Sequence, residues 1–194
     1  MMTIEQRDEY LEEVLIDEFF EDMNNIQNYL YLNWEKIKRQ FQDLINNLFL
    51  MGFEAQQRGE KNKIEIFHIC YLFSSCITKS HKVLFSLYDE RFYLDSFEVS
   101  AFWTPEFIFQ YFEREMDIFQ KKAQKNIIGF DYSDMQEVRL KYYEMYYQVV
   151  GEILQMLIPV IKDATYFKKI EKTDKFCVSY SKYMIPGWEL DFKL

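Results

Sequence analysis

The chain has 194 residues, of which 49% are hydrophobic and 28% charged, with a formal net charge of −9. This much apolar material in a domain-sized chain excludes a disordered polypeptide, and the balance of charge beyond residue 22 excludes a broad basic surface for nucleic acid. Five Gly and three Pro are too few to punctuate a sandwich or barrel. We therefore expect a single all-α domain over residues 1–194, a bundle of about five helices. Two of these are long and heptad-patterned. An irregular or short β segment falls near 89–103, and an extended C-terminal tail, 173–194, packs on the bundle.

The first helix is predicted to start at Thr3, which forms a capping-box pattern with Gln6. Leu11, Leu15, Phe19 and Met23 make its apolar stripe. The opposite face is acidic, because residues 1–22 hold nine acids against Arg7 alone while the remaining 23 acids and 22 bases nearly cancel. Acids near a helix start also suit the positive end of its dipole. Asn24-Asn25 mark a kink or restart. Beyond them Leu30, Trp34, Ile37, Phe41, Leu44, Leu48 and Met51 recur at alternating spacings of four and three. That is the seam of a helix packed at a shallow angle on a neighbour, with Gly52 and Gly59 at its exit.

Ile64 to Phe73 is apolar almost all round a helical wheel, which predicts an enclosed central helix continuing to about Tyr88. Phe92, Leu94 and Phe97 fit neither a helical stripe nor strand alternation, so 89–101 reads as a short hairpin or loop. Thr104-Pro105-Glu106 starts a helix to about Lys125, with Thr as cap and Pro in the first turn. Ser133 and Gln136 form a second capping box. It opens the other seam helix, with Met135, Val138, Tyr142, Met145, Val149, Ile153, Met156 and Val160 on its stripe and a kink near Pro159. Phe176 to Tyr180 is a short strand, and Pro186-Gly187-Trp188 turns into the tail.

The N-terminal residues show no basic region followed by an apolar one, and neither of the most apolar runs has about 18 clean residues, so we expect neither secretion nor a membrane span. Cys70, Cys76 and Cys177 are an odd number without paired spacing, which points to a reduced, cytoplasmic setting.

Several residues stand out against this background. Glu115 falls inside the apolar stripe Phe107, Ile108, Tyr111, Phe112, Ile118 and Phe119, so it needs a partner such as Arg91, Lys79, Lys82 or His81, titrates upward, or faces a ligand. Glu65 and His68 match one half of a di-iron Glu-x-x-His element, but Thr78 precedes His81 where a second Glu is needed. His68, Cys70, Cys76 and His81 are zinc-type ligands, although on a helix His68 and Cys70 point apart. Glu9 with Glu12, and Glu18 with Glu21, repeat a Glu-x-x-Glu spacing that can hold magnesium, yet both pairs lie on one helix and read more simply as a solvated face. Arg91 sits between aromatics and acids at an element boundary, where a turn paired to a neighbouring acid is the plainer expectation.

No phosphate loop, nucleophile elbow or Cys/His pairing is present. The expected function is therefore a non-enzymatic protein-interaction or inhibitory, immunity-type module without cofactor. It would present Glu9, Glu12, Glu13, Asp17 and Glu21 to a basic partner protein. The alternative is a ligand-binding protein or enzyme with an aromatic-lined cavity around Glu115, using His68, His81 and Arg91, or a magnesium-dependent helical nucleotide hydrolase. The heptad seam leaves a homodimer open.

Overall fold

The computed structural model describes residues 4–127, 129–185 and 188–190, with the side chains of 4–8, 11–14, 17, 188 and 189 outside that description. Thr3, and with it the first capping box, lies outside the described residues, as does the turn at 186–187.

One long helix runs the length of the molecule. α1 spans Ile4–Gln57 without a break at Asn24-Asn25, and Gly59, at φ 71, takes the left-handed conformation that ends the following turn. The next segment overturns the all-α expectation. Ile64–Tyr71 is a strand, β1, followed by the five-residue α2 (Phe73–Ile77) and a second strand, β2 (Val83–Tyr88). A strand buried on both faces is apolar at every position, and its periodicity is then indistinguishable from that of a buried helix. β3 (Val99–Trp103), α3 (Glu106–Asn126), α4 (Tyr132–Leu157), a 3₁₀ segment through Pro159, α5 (Thr165–Lys169), β4 (Lys172–Lys182) and the two-residue β5 (Trp188–Glu189) complete the order.

The sheet has strand order β3-β2-β1-β4-β5. β1 pairs antiparallel with β2 and parallel with β4, so the segment expected to be a surface tail supplies a central strand. All the described helices of length pack on one face. There Phe67 meets Phe49, while Phe85 and Trp103 meet Phe41 in edge-to-face contacts 5.5–6.2 Å between centroids. Withdrawing such a ring from water contributes on the order of 1.5–3 kcal/mol.

Two helix starts also differ in detail. α3 begins behind Pro105, and its N-terminus has no side-chain cap, so the Thr104 hydroxyl does not serve it. α4 is capped by Asp131, two residues ahead of the expected Ser133. Its Oδ1 accepts from Ser133 N (2.7 Å) and Asp134 N (3.1 Å), while Asp134 Oδ2 accepts from Asp131 N.

No helix among the described residues is long and apolar enough to cross a membrane.

Candidate functional site

The N-terminal half of α1 leaves the sheet and lies against α3 and α4. Phe19 packs edge-on to Tyr142 and Tyr146, and Tyr29 stacks on Phe107 at 5.2 Å. On the same inner face Asp22 is fully buried, and its Oδ1 accepts from Arg114 Nη2 at 2.5 Å. Glu115 is equally buried beside it, with Tyr142 donating to its Oε2 at 2.5 Å and lying 3.2 Å from the Leu15 carbonyl.

As two bare carboxylates, Asp22 and Glu115 would leave the buried Oδ2 and Oε1 without protein partners. One proton between them satisfies both atoms. Burial, and then the hydrogen bond to Asp22, push Glu115 up to about 8, so it carries that proton at neutral pH. The expected cationic partners of Glu115 are thus replaced by Asp22 and Tyr142. Arg114 neutralises the charge that remains.

Outside this buried pair, α1 and α4 diverge slightly and leave a groove. Phe19, Met23, Ile26 and Leu30 form one wall; Met145, Val149, Ile153 and Met156 form the other, around a cavity of about 520 Å³. A second cavity of about 750 Å³, bordered by Tyr31, Leu32 and Trp34, continues it and shares Leu30 and Met156. Neither is lined by Glu115, His68 or His81. Large apolar side chains stand exposed here, Tyr31 at 86%, Leu32 at 78% and Met156 at 51%, and Phe20, against Phe19 on α1, is also exposed. Glu35 and Lys36 line the second cavity and Glu152 the first, all exposed; elsewhere on α1 Glu9 and Glu21 are exposed and Glu18 is half-buried. The side chains of Glu12, Glu13 and Asp17 lie outside the described residues.

The other candidate ligand residues are dispersed. His68 belongs to the face of the sheet turned away from the helices, in a row that runs Ser100, Ser86, His68, Ser179 across four strands. Tyr93 Oη accepts from Met184 N (2.9 Å), so its own proton goes to His68 Nε2 (3.0 Å), and His68 Nδ1–H donates to Ser179 Oγ (2.8 Å). Both ring nitrogens are occupied, Phe92 and Tyr93 cover the ring, and burial lowers its pKa to about 4. Because residues 64–71 form a strand, Glu65 and His68 point to opposite faces. The Glu-x-x-His element therefore does not exist; Glu65 accepts from Thr173. Cys70 does share the face of His68, contrary to the helical expectation, but burial raises its thiol to about 12. Among the described residues no group of three His, Cys, Asp or Glu is placed to hold a metal ion.

His81 lies in the turn before β2, at φ 49, stacked on Phe109. Tyr147 donates to Tyr143, so Tyr143 donates to His81 Nδ1 (3.0 Å), which leaves Nε2–H against Glu113 Oε1 at 2.7 Å. Arg139 and Lys79 also pair with Glu113. Burial first, then the charges of Arg139 and Lys79, lower His81 to about 4. Arg91 holds Asp89 with its guanidinium, within a loop locked by buried Lys61, which pairs with Asp95 and donates to the carbonyls of Leu87 and Phe97 at 2.7 Å each. Burial works against an ionised Asp89, but Arg91 and Asn62 outweigh it and hold the carboxyl near 2. This loop seats Phe92 and Tyr93 over His68.

Sequence reasoning missed Asp22, Tyr142 and Met156 as site residues. Asp22 follows Leu15 and Phe19 and precedes Ile26 at spacings of four, three and four, so its place on the buried stripe was available as a signal. The chain matches no protein-family model, curated protein or solved structure with which it was compared.

Proposed function

We propose that the protein is a non-enzymatic recognition module, of an inhibitory or immunity type, that engages a basic partner protein through the N-terminal half of α1. The observation that carries this reading is the set of exposed apolar side chains Tyr31, Leu32 and Met156 at the groove, beside Glu35, Glu152 and Lys36, in a chain whose first 22 residues are strongly acidic. Apolar patches rimmed by polar and charged residues mark protein contacts, and net charge steers the encounter. The free thiols of Cys70 and Cys76 support placing the module in the cytoplasm. Neither cavity is lined by Glu115, His68 or His81, and both ring nitrogens of His68 have partners, which argues against a ligand cavity at those residues.

A photo-reactive amino acid installed at Leu32, and at exposed Lys121 as control, tests the reading in the native host. The expected result is a discrete covalent adduct with one basic protein from position 32 only. Replacing Glu9 and Glu21 with Lys should then weaken binding of that partner at least tenfold. Equal adducts from both positions, or binding unchanged by the charge reversals, would overturn it.

A further inference from the structure

We propose that the groove between α1 and α4 receives an amphipathic helix of the partner, with an apolar stripe to the groove and Lys or Arg on its flanks. The inference rests on the recognition reading above and names the structural class of what is recognised.

The groove is built to take a helix. Its α1 wall recurs at spacings of four, three and four and its α4 wall at four, four and three, so both present the ridges into which a third helix packs at a shallow angle. From Phe19 to Trp34 is about 22 Å of helix, at about 1.5 Å per residue, matching roughly four turns of a ligand helix. No open strand edge borders it, which argues against strand addition. Three of the eight wall residues are Met23, Met145 and Met156, unbranched side chains that adapt to the stripe they meet.

Charge selects the flanks. Glu152 lines the groove and Glu35 borders its continuation, with Lys36 the cation among the lining residues. Apart from Asp22, which Arg114 pairs, residues 1–22 still carry an excess of acids over Arg7, and that excess adds to the same field. A second copy of this chain would set acidic rim against acidic rim in a two-fold contact, an unfavourable pairing. A cationic helix gains from the net negative charge that remains.

The test uses the full chain and a fluorescein-labelled 18-residue Leu/Lys peptide with Leu at i, i+3, i+4 and i+7, beside a scrambled peptide and a Leu/Glu peptide of the same pattern. We expect anisotropy to show binding of the Leu/Lys helix alone. Hydrogen exchange should show protection confined to residues 19–34 and 145–156, and M156R, at an exposed position, should weaken binding at least tenfold while leaving the melting temperature unchanged. Equal binding of the scrambled or Leu/Glu peptide, protection elsewhere, or indifference to M156R would overturn the proposal. Concentration-dependent dimerisation that M156R abolishes would also overturn it, by assigning the groove to a second copy. If position 32 still captures a basic protein that contacts it through a strand or loop, the helix proposal falls and the recognition reading stands. If position 32 captures none, the recognition reading itself falls.

Discussion

Glu115 and Asp22 share a proton because the interior of the helical layer offers one cation, Arg114, to two carboxyl groups. The consequence for stability has a definite sign. The folded protein holds a proton at Glu115 up to about pH 8, whereas the unfolded chain releases it near its ordinary value of 4.5. Stability from this site is therefore complete below the unfolded value and declines as pH rises through that window, by up to about 1.4 kcal/mol per pH unit. His68 and His81 act in the opposite sense, losing stability as pH falls from about 6.5 towards 4, so the clean comparison lies above pH 6.5. E115Q keeps the hydrogen-bonding pattern without the titration. Chemical denaturation between pH 6.5 and 8.5 should show a wild-type stability falling with pH and a visibly flatter variant. The burial of Glu115 was legible in the sequence from the aromatic stripe around it. Its partner was not, since Asp22 is one acid in a run of acids and only its register distinguishes it.

α1 illustrates how much of an element a heptad pattern reveals. Leu30, Ile37, Phe41 and Leu48 are buried as their spacing predicts, but the surface they meet is mostly a sheet, and spacing says nothing of the partner's architecture. Gly52 is part of that contact. A Cβ there would stand 2.7 Å from Ile170 Cδ1 and 2.8 Å from Leu87 Cδ1, both in buried side chains. Glycine in a helix interior ordinarily costs about 1 kcal/mol relative to alanine, so its presence marks the closeness of helix, β2 and α5. G52V should cost about 1–3 kcal/mol through overpacking, read as a lowered denaturation midpoint with an unchanged slope. The capping of α4 shows the converse limit. Asp131 and Ser133 are both good caps, and the choice depends on where the preceding turn delivers the chain.

At the scale of the whole molecule, helix and aromatic content were readable, while the sheet was hidden by its own burial. β1 is covered by helices on one face and by the Phe92–Tyr93 loop on the other, so its alternation is erased. The pairing of β1 with β4 was beyond reach for a different reason. It joins residues about a hundred positions apart, and no local pattern records it. That pairing also imposes an order in time. The ribosome makes residues 64–71 about a hundred residues before their parallel neighbour, so β1 waits with one edge open while the intervening chain is synthesised. Until Lys172–Lys182 emerges, the sheet lacks its central ladder, and the domain cannot close one part at a time. Nascent chains arrested with residue 171 outside the exit tunnel should remain protease-sensitive, and those extended past residue 190 should become resistant in a single step. Resistance already at residue 171 would show that the helical layer folds without it.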